Sequence, residues 1–250
     1  MTTILSPIDQ LPALGHREAA RLAATENERI VQLVRSLSAE DWSKPTDCPA
    51  WDVRAMTGHL LGAMDGHVSL PQFIHQIRAG KKAAGDRPDV DGMTEVQVRE
   101  RAHLGPEQVV ERITAVAARA ARARGRLPAL VRRVPIKVEV EQVMESWRLG
   151  YLFDVILTRD AWMHRIDITR ATGLPLVLTP DHDGRIVACV VAEWAQRHGR
   201  PFTLRLRGPA GGDFTRPGDG EEISLDAVDF CRTVSGRASG EGLLAHPVPF

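Results

Sequence analysis

RDAWMHRIDITRATG, residues 159–173, is the stretch on which the reading of the fold turns. Asp160 and His164 are four residues apart. On a helix, at about 100° per residue, their side chains share one face, one turn apart. Asp167 lies three residues further on and points within about 60° of His164, where it could orient the imidazole. On spacing alone the pattern has two readings. It is either a hydrogen-bonded pair on a helix surface, or a carboxylate and an imidazole offered together to one ion. Gly173-Leu174-Pro175 then ends the helix.

Working outward from this stretch, apolar residues recur at helical spacing through the first two thirds of the chain. The helix carrying Asp160 is expected to span about 139–172, with an interruption near Gly150. Upstream, helices are predicted over about 17–37, 52–77 and 106–126. Ser38 and Asp41 form a capping-box pattern for a short turn. The polar Gly/Pro/Asp stretch 81–92 reads as a mobile loop, and 128–135 as a break. Downstream, Thr179-Pro180 opens a helix that stops at His198-Gly199. PFTLRLRG (201–208) alternates as a strand does, GEEISLD (220–226) is a second strand, and DAVDFCRTVSG (226–236) a short helix. The expected fold class is α+β, with a helical bundle over 1–175 and a small α+β domain over 176–250.

His59 lies at the edge of the apolar stripe of its helix, about 60° around from Met56. By itself a histidine there reads as a core-edge residue bonded to a carbonyl. Facing helices of a bundle can, however, supply ligands to a common ion. His59, Asp160 and His164 would give three ligands with a fourth position open, a catalytic rather than structural arrangement. His67 or Asp167 as a fourth ligand would instead close the site. No pair among the other histidines has a ligand spacing. Trp51, Trp147, Trp162 and Trp194 read as core or interface residues. Arg119, Arg122 and Arg126 share a helical face, which is either solvated or a clamp for an anionic small molecule.

Composition narrows the function classes. With 32 basic and 32 acidic residues the net charge is zero, so nothing pulls the chain toward nucleic acid or an anionic membrane. Hydrophobic residues at 43% and charged residues at 26% are ordinary for a globular protein. No apolar run approaches the length of a membrane span, and no secretory leader is read at the N-terminus. Cys48, Cys189 and Cys231 are far apart and odd in number, which suits a reducing cytoplasm. HExxH, GxSxG, Walker and GxGxxG patterns are absent. SGRASGEG (235–242) reads as a turn in preference to a phosphate loop.

At three blocks the sequence resembles the mycothiol-dependent maleylpyruvate isomerase family, part of the wider DinB-like metal-binding superfamily. The first block is Trp42, Pro45-Thr46, Cys48-Pro49, Trp51-Asp52-Val53 and His59-Leu60. The second runs from Asp160 through His164-Arg165 and Asp167 to Ala171-Thr172-Gly173. The third is the tail VDFCRTVSGRASGEGLLAHPVPF. The resemblance implies a DinB-like four-helix bundle followed by a small α+β C-terminal domain. It implies His59, Asp160 and His164 as ligands of a divalent metal, with Zn2+ as the expected ion, and Arg237 as a catalytic arginine. Mycothiol would be the cofactor or co-substrate, in thiol transfer or cis-trans isomerisation of a small, carboxylate-bearing substrate. The alternative is a bundle that binds metal or a small ligand without turnover. The family's isomerase carries Glu where this chain has Asp160, one methylene shorter, so the metal is expected nearer that helix or less tightly held.

Overall fold

A computed structural model describes residues 5–140 and 143–250. The elements form two compact units. One spans Gly15–Pro175. The other joins the described residues up to Leu14 to Leu176–Phe250.

The first unit is built on α1 (His16–Ser36), α2 (Val53–Val68), α5 (Pro106–Gly125) and α8 (Leu157–Thr172). α1 and α2 each pack against both α5 and α8, a four-helix bundle. The apolar stripes meet where spacing predicts: Ile30, Val34, Met56, Leu60, Ile113 and Ile168 are all buried. Asp52 caps α2 by accepting the Ala55 amide at 2.8 Å, and Ser38 engages Asp41 through both its amide (2.8 Å) and its hydroxyl (2.9 Å).

Between α2 and α5 the structure departs from the sequence reading. The helix expected over 52–77 breaks at Ser69, whose hydroxyl accepts the Gln72 amide and which precedes Pro71 in the first turn of α3 (Leu70–Ala84). The stretch expected to be a mobile loop is instead mostly helical, shared between the end of α3 and α4 (Asp89–Arg99). Two acidic residues, Asp89 and Asp91, sit in the first turn of α4, where the helix dipole favours them. Gly80 and Gly92 allow α3 and α4 to touch backbone to backbone. A Cβ on Gly92 would lie 2.1 Å from the Gly80 carbonyl oxygen. Gly92→Ala is therefore expected to destabilise the protein by about 1–3 kcal/mol through overpacking. Urea denaturation of the variant checks this, and an unchanged midpoint would refute it.

A second departure lies after α5. The short helix α6 (Ala129–Arg132) leads into a hairpin of β2 (Pro135–Val140) and β3 (Val143–Arg148), where a helix was expected from about 139. Val138, Val140 and Val143 favour strand, and Ile136 pairs with Trp147 across the ladder. The helix proper begins later. α7 (Leu149–Tyr151) runs into a π-helical turn, Leu152–Ile156, and then into α8.

In the second unit, β1 (Ser6–Pro7), β4 (Phe202–Arg207), β5 (Gly212–Arg216) and β6 (Glu221–Asp226) form one sheet in the order β1-β5-β4-β6. β5 runs antiparallel to β4, while β1 and β6 are parallel to their neighbours. The pairing of β1 with β5 is why the N-terminal residues group with this unit and not with the bundle. α9 (Arg185–His198) and α10 (Ala227–Val234) pack on the sheet around Trp194, which meets Phe202 and Phe230 edge-on and donates to the Leu243 carbonyl. The architecture is α+β with a helical first unit. No helix among the described residues is long and apolar enough to cross a membrane.

Candidate metal centre

Several residues of the first sequence block have a physical task. The Thr46 hydroxyl donates to the Trp51 carbonyl at 2.8 Å and closes the TDCPAW loop on itself. That closure sets Trp51 against two imidazoles, with ring centroids 5.0 Å from His59 and 5.6 Å from His164. Asp52 starts the helix that carries His59. Among the tryptophans read as core, Trp162 and Trp194 are fully buried; Trp51 is half-buried and covers the site.

His59, Asp160 and His164 come together, with one ligand atom from each lying within 4.8 Å of the others. Nε2 of His59 is 3.3 Å from Asp160 Oδ2, and Nε2 of His164 is 3.2 Å from Asp160 Oδ1. The outer nitrogens are committed elsewhere. Nδ1 of His164 donates to Asp167 Oδ2 at 3.1 Å. Nδ1 of His59 is 2.8 Å from Gln97 Oε1; Gln97 Nε2 donates to Gln76 Oε1 at 2.9 Å, and Gln76 Nε2 to the Gly62 carbonyl at 2.8 Å. This relay orients the Gln97 amide, so its oxygen faces the ring and accepts from Nδ1–H.

Both neutral imidazoles then direct an Nε2 lone pair at a carboxylate oxygen. Two lone pairs facing an anion repel it unless a cation, either protons or a metal, lies between them. In the absence of metal the proton takes that place. Burial pushes the His164 pKa down, but the adjacent Asp160 charge and hydrogen bond override it and hold it well above its usual value. Burial likewise pushes Asp160 up, and the charges of His164 and His59 hold it well below the usual carboxylate range.

The donor set also fits a metal. Zinc bonds of about 2.0–2.1 Å in a tetrahedron place neighbouring ligand atoms about 3.3 Å apart, the spacing of both Nε2–Oδ contacts. The shorter arm of aspartate reaches both rings. Asp160 keeps 22% of its side chain accessible, whereas the histidines are buried. Asp167 is occupied with His164, and His67 stands outside the ligand group. Neither closes the set among the described residues.

Other candidates fall differently. Arg119 and Arg122 on α5 and Arg126 immediately after it are exposed, a solvated face. Arg237 follows α10 in the second unit, half-buried, with its amide bonded to the Arg232 carbonyl at 2.9 Å. SGRASGEG turns through positive-φ glycines Gly236 and Gly242. Cys48 is half-buried, its sulfur 3.9 Å from Asp167 Oδ2. Gln97 and Gln76 were missed in the sequence, since a glutamine inside a helix carries no spacing signal.

A family model, the mycothiol maleylpyruvate isomerase N-terminal domain, matches residues 23–169, a span that includes all three ligand candidates. The chain belongs to this family. Outside the mycothiol maleylpyruvate isomerase domain as well as within it, similarity extends to two Mycobacterium tuberculosis proteins described as uncharacterized, MT0041 of strain CDC 1551 / Oshkosh and Rv0036c of strain ATCC 25618 / H37Rv. Each is 25% identical over 224 residues, covering 85% of this chain and 82% of the relative. The crystal structure of the mycothiol-dependent maleylpyruvate isomerase superposes with a TM-score of 0.57 at 15% identity, over 94% of this chain and 93% of that one. A histidine-to-alanine mutant of it gives the same TM-score at 14% identity. The fold is thus that of the isomerase along most of the chain.

Proposed function

We propose that the chain is a metal-dependent enzyme that uses mycothiol to isomerise, or to add a thiol to, a small unsaturated carboxylate. Family membership supports the thiol-dependent isomerase class. The metal is carried by one observation, the two imidazoles whose Nε2 atoms converge on the two oxygens of Asp160 while their Nδ1 atoms are held from behind. His59, Asp160 and His164 would hold the ion, with zinc favoured by the nitrogen-rich donors and three-ligand count. A bound divalent ion supplies acidity, deprotonating a coordinated thiol at neutral pH.

The chain's own residues do the rest. Gln97 and Asp167 fix the ring tautomers, so Nε2 is always the free donor atom. Trp51 walls the histidines from water. The thiolate then adds to an activated double bond, and the electron pair moves onto the conjugated carbonyl as an enolate. The former double bond rotates, the pair returns, and the thiolate leaves. In a transferase the adduct takes up a proton and stays. Arg237, assigned by its match to the family's tail, would hold a substrate carboxylate or the enolate charge as a guanidinium fork.

The test is incubation of the zinc-loaded protein with mycothiol and maleylpyruvate, following both thiol consumption and cis-trans conversion. Turnover that disappears on chelation and returns with zinc is the expected result. Bound zinc with neither reaction would leave a binding bundle and overturn the enzyme. Gln97→Leu is expected to weaken zinc about 10–100-fold, as loss of the partner behind a ligand does. A competition titration against a chromophoric chelator measures it, and equal affinity in variant and wild type would refute the relay's role.

A further inference from the structure

Among the described residues, a deeply buried cation of the bundle has no carboxylate of its own. Arg124 on α5 is only 4% exposed. Its Nε donates to the Phe153 carbonyl at 3.0 Å and its Nη2 to the Thr158 hydroxyl at 2.6 Å and to the same carbonyl. That carbonyl belongs to the π-helical turn at 152–156, and such turns recur at functional sites. All these partners are neutral. Among the described residues Arg124 makes no ion pair, and its Nη1 has no hydrogen bond. The nearby Asp154 is already taken by His16 at 2.9 Å and by Arg132. The charges of Asp154 and Asp160 act on Arg124 without forming an ion pair with it, and a buried guanidinium with no direct counter-ion is costly unless an anion completes it.

A second orphan lies beside it. His67 on α2 has a buried Nδ1 with no hydrogen-bond partner. Its ring stacks obliquely on Phe153, 5.8 Å between centroids, the same residue whose carbonyl Arg124 holds. His67 feels the charges of both Arg124 and Asp160, and burial followed by Arg124 pushes its pKa down to about 3, so its ring is neutral at pH 7. It follows His59 by two helical turns, about 12 Å along α2. Burial lowers the Arg124 pKa to about 10, which leaves it charged.

We propose that Arg124 and His67 form an anion subsite inside the bundle, in which Arg124 Nη1 and His67 Nδ1–H receive a carboxylate of the small substrate. The inference deepens the reading of a carboxylate-bearing substrate, and rests on it for the subsite's use in turnover. The exposed Arg119, Arg122 and Arg126 have no part in it. The buried member of the same arginine-rich helix is the one so placed, and it differs from them in having exchanged water for carbonyl and hydroxyl partners.

The probe is maleate, a small dicarboxylate, titrated calorimetrically into the full-length zinc-loaded protein, with zinc content measured on the same samples. Arg124→Gln and His67→Leu are each expected to weaken maleate about tenfold or more, the loss of a hydrogen bond to a charged group, with zinc content unchanged. Maleamide, the uncharged diamide, is expected to bind at least as much more weakly to the wild type. His67→Leu removes no hydrogen bond of the fold, so it decides the matter alone if Arg124→Gln does not fold. Equal maleate affinity in wild type and the folded variants, equal affinity for maleate and maleamide, or no maleate binding to the wild type would each overturn the subsite. Loss of zinc from the wild type would count against the metal reading instead, and leaves the maleate comparison standing as its own test.

Discussion

His164→Ala is expected to leave the purified protein without zinc where the wild type holds one equivalent per chain. Two histidines and one carboxylate make the proposed ligand set, so the variant would keep two of three protein donors. Structural zinc sites bind with about 10–16 kcal/mol, so one ligand in three is worth roughly 4 kcal/mol, on the order of a thousandfold in affinity. Asp167 also loses the imidazole that donates to it at 3.1 Å. Metal analysis after dialysis, with circular dichroism to show that the bundle persists, reads the outcome. His59→Ala should behave alike, because its Nε2 occupies the matching position on the other Asp160 oxygen. A full equivalent of zinc in both variants would sink the centre.

The largest effect on stability is expected at Glu26. Its carboxylate on α1 accepts from Arg165 on α8 through two atoms, Nε at 2.6 Å and Nη2 at 3.3 Å. Both side chains are buried, Glu26 completely. A forked pair in that setting has long since lost its water, so removing one partner strands a charge. Glu26→Ala should cost about 3–5 kcal/mol. For a chain of this size that lowers Tm by roughly 10 °C or more. Glu26→Leu with Arg165→Met should recover most of the loss, because an apolar pair of similar volume needs no desolvation of charge. Thermal and urea denaturation measure both. A loss below about 1 kcal/mol in the single variant would show that the pair contributes no more than a surface bridge.

Arg165 follows His164 directly, so the stretch that presents the ligand also anchors its helix. The anchor bonds to α1 and the ligands face α2, which fixes the height and rotation of α8 against two neighbours. The proposed metal ligands and the bundle's stability therefore share one segment. A short run of charged residues on a buried helix, Asp160, His164, Arg165 and Asp167, thus encodes packing as well as chemistry.

The bundle helices were legible where a long apolar stripe repeats. α1 and α5 begin and end within a residue of their spacing-based limits, and α9 stops at the expected His198 but is preceded by a π-helical turn at Pro180–Gly184 where the helix was expected to start. Short elements were not. The β2–β3 hairpin carries valines that suit a strand, but they also fit a helical window, and only pairing of Ile136 with Trp147 selects the ladder. α4 was hidden because Gly, Pro and Asp dominate 85–92. Its glycine is there for close contact with α3, not for a loop.

The sequence by itself determined that Asp160, His164 and Asp167 share a helical face, because 3.6 residues per turn leave no alternative once the segment is helical. It also determined the family, through motifs spread along the chain. Tertiary structure alone decided what those residues face. His59 meets Asp160 across 101 positions of chain, Gln97 reaches His59 from a helix that spacing did not reveal, and Arg124 turns inward while its neighbours on α5 stay in water. Each of these depends on which helix faces which, and helical periodicity carries no information about the partner across the interface.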